Sequence, residues 1–194
     1  MEQERIIVLI NGSMNNPSFT KKVLKEVEKR LQKNKAKTMF IDIRDLQLPV
    51  YDPKAESPKE IIEVSNILKK ADGLVVGVPE YHGSYTGAVK NLLDYLGFEE
   101  FQQTPIALLA TAGGIKSGTN TLNHLRLVFR NLHGHVIPQQ FAISKNETNP
   151  ELELDPSMDL RLEKFIQGLE TEVHKKLLFE KWEKSQSGEV PAEK

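Results

Sequence analysis

An α/β fold, with a five-stranded parallel sheet and helices on both faces, is predicted by three features of this chain. Apolar runs without polar alternation recur at residues 6–10, 73–78 and 105–110, the pattern of parallel strands covered on both sides. Segments with apolar residues at helical spacing alternate with them. Loops rich in Gly, Pro, Ser and Asn separate the two kinds of segment.

Residues 5–10 read as the first strand, with Ile6, Ile7, Val8, Leu9 and Ile10 in succession. Residues 18–34 read as a helix, with Val23, Val27 and Leu31 at four-residue spacing and Ser18 placed to cap it after Pro17. Residues 37–43 read as the second strand. Residues 44–57 form a long connection holding Pro49 and Pro53, and Pro58 opens a helix to about residue 71. The third strand is 73–78. The helix at 86–96 places Val89, Leu92, Leu93 and Leu96 on one side.

The fourth strand is 105–110, and the helix at 118–132 turns Leu122, Leu125, Val128, Phe129 and Leu132 inward. A fifth strand begins at 135–137, is interrupted by Pro138 and resumes at 141–144. A long helix from 155 to about 182 carries Phe165, Leu169, Val173 and Leu177 in four-residue steps. Phe165, Trp182 and their neighbours read as one buried face, with room for a subunit contact toward the end. Residues 185–194 read as a loose tail, after a single domain at 1–184. The order βαβαβαβαβα with right-handed crossovers predicts a flavodoxin-like three-layer sandwich of strand order 2-1-3-4-5.

The 194 residues suit one domain with a sizeable core. A formal net charge of −1 gives no pull toward nucleic acid or acidic lipid. The chain contains no cysteine, which excludes disulfides, thiol nucleophiles and thiolate metal sites. No run approaches the ~20 apolar residues of a membrane span. The expected location is cytoplasmic, with no membrane partner.

Three loops follow the apolar runs and carry the functional information. The first is 11–20, Asn-Gly-Ser-Met-Asn-Asn-Pro-Ser-Phe-Thr; the second is 79–87, Pro-Glu-Tyr-His-Gly-Ser-Tyr-Thr-Gly; the third is 111–118, Thr-Ala-Gly-Gly-Ile-Lys-Ser-Gly. Loops leaving the carboxyl ends of parallel strands gather at the ligand-binding edge. The first leads into a helix, whose N-terminal N–H groups suit a phosphate, with Ser13, Asn15, Ser18 and Thr20 adding side-chain donors. Taken alone, its Ser and Asn equally describe a plain helix cap. The second and third are small and Gly-rich, so they suit a flat ring against backbone. The set fits a mononucleotide, flavin before others. It lacks the Gly-x-Gly-x-x-Gly of a dinucleotide site and the Gly-Lys-Ser/Thr of a Walker loop.

Residues 79–94 resemble the signature of the NADPH-dependent FMN reductase family, roughly Pro-Glu-Tyr-Asn-x-Ser-x-Pro-Gly-x-Leu-Lys-Asn-x-x-Asp. Pro79, Glu80, Tyr81, Ser84, Gly87, Lys90, Asn91 and Asp94 are retained. Gly12, Ser13 and Ser18 match the family's Gly-Ser-x-Arg-x-x-Ser phosphate loop, and the resemblance spans about residues 5–140. It implies a flavodoxin-like flavin, quinone, azo or chromate reductase, dimeric or tetrameric. By position it assigns Ser13, Asn15, Ser18, Phe19 and Thr20 to the phosphate and ribityl end of FMN. Pro79, Glu80, Tyr81 and His82 would run along the isoalloxazine, and Thr111, Ala112, Gly113 and Gly114 would meet its polar edge through backbone. Three departures matter: Asn15 stands where the family has Arg, His82 where it has Asn, and Thr86 where it has Pro.

Each of these residues also has a plainer reading. Tyr81 is a ring-side residue or merely closes the loop over the core. His82 is a proton donor or an exposed loop histidine. Thr111 is a ligand donor or a strand end. Glu80 holds its loop by accepting backbone hydrogen bonds. Lys90, Asn91 and Asp94 stabilise their helix, its loop or a subunit contact. His133 and His135 share a strand face but have no third ligand nearby, so no metal is expected.

The expected activity passes hydride from NADPH or NADH through bound FMN to a small acceptor: a quinone, an azo compound, free flavin or a metal oxyanion. No protein nucleophile is required, because the cofactor carries the chemistry. The alternatives are a flavodoxin-type electron carrier and a flavin-free binding domain of the same fold. A homodimer or homotetramer is expected.

Overall fold

The computed structural model of the chain describes residues 5–114 and 118–186. The five strands are β1 (Ile6–Asn11), β2 (Lys37–Asp42), β3 (Gly73–Pro79), β4 (Pro105–Ala112) and β5 (His135–Ser144). They form one sheet of order β2-β1-β3-β4-β5, and every pairing is parallel. The flavodoxin-like fold predicted from the sequence is the fold observed.

The continuous apolar runs have a direct explanation. Successive residues of a strand point to opposite faces, and both faces here are covered. Val8, Ile10, Leu74, Val76, Ile106 and Leu108 pack toward α3 (Lys59–Leu68), α4 (Gly87–Asp94) and α5 (Thr119–Asn131). Ile7, Leu9, Val75, Ala107 and Leu109 pack toward α1 (Phe19–Lys33) and α6 (Pro156–Gln186). Every residue of β3 and β4 is buried.

Four expectations need correction. The connection after β2 contains a one-turn helix, α2 (Ile43–Leu46), started by the Asp42 side chain accepting from the Arg44 N–H. β5 is one strand, not two. Ile106 pairs with Val136 and Leu108 with Gln140, so a bulge holds Pro138 where no ladder N–H is needed.

The third concerns α6. Phe165, Leu169, Val173 and Leu177 are buried as spaced, but Trp182 is 56% exposed and Phe179 is 53% exposed. Trp182 lies five residues beyond Leu177, about 140° around the helix from it, so it leaves the core-facing stripe. Ser185 and Gln186, expected in the tail, are the last residues of this helix; residues 187–194 lie outside the described residues. The fourth concerns the two histidines. His133 precedes β5 with φ of 61° and stacks flat on Phe98, with centroids 4.4 Å apart. His135 instead faces the Glu172 carboxylate at 3.6 Å.

Candidate active site at the carboxyl edge of the sheet

The first loop starts from the buried Asn11 at the end of β1. Its amide donates to Asp42 Oδ1 at 3.0 Å, and its own Oδ1 accepts from the Ser13 N–H at 3.3 Å. Asp42 also accepts from Lys21 Nζ at 2.8 Å, an interaction that holds the lysine above its ordinary range. Ser13 is buried, and its Oγ accepts from the Asn15 N–H at 3.3 Å. Ser18 caps α1 as expected, accepting from the Lys21 N–H at 3.0 Å, while its carbonyl takes the N–H of Lys22. Phe19 and Thr20 are the first two residues of the helix, and their N–H groups precede every intrahelical acceptor.

Gly12 is required by close approach. Its N–H donates to the Gly77 carbonyl at 2.8 Å. A Cβ there would run into Val89 Cγ2, with Val78 Cγ1 at 2.8 Å and the Gly77 oxygen at 3.2 Å.

The second loop is a small hairpin. Tyr81 and Ser84 exchange backbone hydrogen bonds of 2.9 and 3.1 Å across His82 and Gly83. The central residues have φ of 52° and 79°, the paired positive values of a type I′ turn. The Glu80 carboxylate behaves as the sequence implied, holding the loop. Its Oε2 accepts from the Gly118 N–H and from Thr121 Oγ1, each at 2.8 Å. Asn91 serves a neighbouring loop, donating to the Pro49 carbonyl at 2.7 Å and accepting from the Tyr51 N–H at 2.8 Å. Lys90 pairs with Asp94 along α4.

In the third loop, Thr111 and Ala112 are buried at the end of β4, and Gly113 and Gly114 are exposed. A Cβ on Gly113 would meet none of the described residues within 4 Å. Ile115, Lys116 and Ser117, read as part of this loop, lie outside the described residues.

The three loops are tied into one rim. Thr86 Oγ1 donates to the Gly12 carbonyl at 2.8 Å, and Asn15 Nδ2 donates to the Tyr81 phenol oxygen at 2.8 Å. The Thr20 and Thr111 hydroxyls share a buried hydrogen bond of 2.7 Å. The Glu80 N–H donates to the Thr111 carbonyl at 2.7 Å. Met14 and Tyr81 leave apolar surface at the mouth, 46% and 41% exposed. The sequence reading missed Asn11, Thr121 and His124. Thr121 carried a faint signal, as a hydroxyl among the inward apolar positions of α5. His124, whose Nδ1 lies 2.9 Å from Ser84 Oγ, carried none.

The rim is made of hydroxyls, amides and backbone N–H groups, and among the described residues no cluster of His, Asp or Glu could hold a metal. It can orient and polarise a bound group, and Ser84 Oγ beside His124 Nδ1 is its one hydroxyl–imidazole contact among the described residues.

Residues 6–148 match the family NADPH-dependent FMN reductase. The chain is 35% identical over 140 residues to an NADPH azoreductase of Bacillus sp. (strain OY1-2), covering 71% of this chain and 75% of that protein. It is 31% identical over 170 residues to an FMN-dependent NADPH-azoreductase of Staphylococcus aureus, covering 82% and 90%. Among solved structures, an NADH:FMN oxidoreductase in its apo form superposes with a TM-score of 0.71 at 27% identity, covering 85% of this chain and 88% of that one. With the family's fold, its second loop and a match over most of the length, this chain belongs to the NADPH-dependent FMN reductase family.

Proposed function

We propose that the chain binds FMN at this rim and uses NADPH or NADH to reduce a small acceptor, an azo compound first among the candidates. The observation that carries the reading is the rim itself. Gly12–Thr86, Asn15–Tyr81, Thr20–Thr111 and Glu80–Thr111 join the ends of β1, β3 and β4 around an edge of neutral donors.

The donor set fits FMN. A phosphate would be held at the α1 N-terminus by the Phe19 and Thr20 N–H groups, with the Ser18 hydroxyl and the Asn15 amide beside them. The Ser13 N–H is already taken by Asn11, so Ser13 acts by shaping the loop. The ring would lie over the second loop, with Tyr81 and Met14 as apolar neighbours and the backbone of 111–114 at its polar edge. Glu80 and His82 would act through the backbone they position. When bound, the flavin accepts hydride from the nicotinamide and passes reducing equivalents to the acceptor. The protein binds, orients and places N–H dipoles where negative charge develops.

Both azoreductase relatives support the azo acceptor, with quinones, free flavin and metal oxyanions as the other members of the class. Assembly as a homodimer or homotetramer belongs to the same proposal. Exposed Val50, Leu178, Phe179 and Trp182 support it, and light scattering of the flavin-loaded protein tests it.

Decolorisation of an azo dye by the purified protein tests the function. Turnover that requires both FMN and NADPH upholds it. Tight flavin binding with no turnover of any acceptor class contradicts it and favours an electron carrier.

A further inference from the structure

We propose that His124 is a positioning residue for the loop that carries the flavin ring, acting through Ser84. The inference rests on the FMN reading above and assigns a role to a residue outside the rim.

The turn at 81–84 is a two-residue hairpin, and such a hairpin standing alone is marginal in water. Its placement is decided by what its arms are tied to. The outgoing arm is fixed at Glu80, whose carboxylate binds the Gly118 N–H and the Thr121 hydroxyl. The far end of the loop is fixed at Thr86, which donates to the Gly12 carbonyl. Between them, the side-chain tie on the returning arm is Ser84 Oγ to His124 Nδ1, 2.9 Å.

Thr121 and His124 are three residues apart on α5 and so occupy neighbouring positions on one helix face. Both arms of the hairpin therefore rest on a single rigid strip. That strip is anchored independently of the loop, because Leu122, Leu125 and Phe129 are buried in the core beneath it. His124 itself is exposed, so the fold does not depend on it. A hydrogen bond between two surface side chains does little for stability. It does set the tilt of the turn over the edge where a ring would lie. Ser84 is retained from the family signature, and His124 gives its hydroxyl a partner.

The ring nitrogen involved is Nδ1, which yields a discriminating substitution. Asn carries a polar atom near the Nδ1 position, whereas Gln carries one near Nε2. The experiment measures FMN affinity by flavin fluorescence quenching and, in the flavin-free protein, hydrogen exchange at the Tyr81 and Ser84 amides. H124A, H124Q and S84A should each raise the FMN Kd roughly three- to tenfold, the scale of one net hydrogen bond. They should also speed exchange at both amides. H124N should stay within about twofold of the parent protein. The double variant S84A/H124A should be no weaker than either single variant.

Unchanged affinity and exchange in H124A would overturn the proposal. So would additive losses in the double variant, or H124N behaving like H124A. If the parent protein bound no FMN, the functional reading would fail, and the exchange arm would still decide the clamp. Faster exchange in H124A but not in H124N upholds it, and equal exchange in both overturns it.

Discussion

Asn15 donates its side-chain amide to the phenol oxygen of Tyr81 at 2.8 Å, joining the first and second loops at their exposed tips. The position that the resemblance pattern gives to arginine is thus occupied by a neutral group that bonds to a neighbouring loop. In the adjoining helix turn Lys21 is held by Asp42, and Lys22 beside it is exposed. On the proposed reading, a phosphate at this loop would be held by helix N–H groups and neutral donors.

Asn15→Arg should therefore tighten FMN binding. A guanidinium brings charge-assisted, bidentate contacts, and at an exposed site the gain should be about three- to tenfold in Kd. Fluorescence titration at low and high salt checks it, with the gain shrinking as salt rises. An unchanged Kd would show that phosphate does not sit at this loop.

Gly12→Ala should destabilise the protein by about 1–3 kcal/mol, the usual cost of overpacking. The added methyl meets Val89, Val78 and the Gly77 carbonyl. Val89→Ala in the same chain removes the nearest obstacle, so the double variant should recover part of the loss. Urea unfolding of the four proteins closes the cycle.

His82→Asn should stabilise the hairpin by up to ~1 kcal/mol, because Asn is favoured in the left-handed region and at type I′ turns. His82 occupies that region with φ of 52°. The denaturation midpoint should rise with an unchanged slope.

Glu100 ties the end of α3 to the segment before β4. Burial alone would push its carboxyl up. Hydrogen bonds from Ser65 at 2.6 Å and from the Gly97 N–H at 2.9 Å, with Lys69 nearby, outweigh it and hold the carboxyl below 4.5. A carboxyl lowered in the folded state contributes stability that is fully present above its unfolded value and is lost as pH falls through the folded one. Glu100→Gln should flatten the loss of stability as pH falls below about 5, read by urea unfolding at a series of acid pH values.

The strands were legible because parallel strands covered on both faces need apolar residues at every position, as in β3 and β4. Two helix starts were legible from the side chains that cap them, Ser18 and Thr86, whereas the one-turn α2 behind Asp42 was not. What escaped was set by tertiary contact. Pro138 looked like a break because the bulge that holds it in β5 is visible only in the pairing with β4. Trp182 looked like core because α6 outruns the surface it packs on. At the site, Ser13 and Asn15 could be named from the pattern of the first loop, and Glu80, Tyr81 and Thr111 from the resemblance to the family. Asn11 and His124 could not, and Thr121 only faintly, since each acts on a partner distant in sequence.

The central claim is that this rim holds a flavin able to take electrons from a nicotinamide. Absorbance spectra of the FMN-loaded protein, recorded anaerobically before and after NADPH is added, test it most directly. The account predicts a bound yellow flavin that bleaches within the time of hand mixing. Flavin that binds but stays oxidised, or fails to bind even in excess, would contradict it.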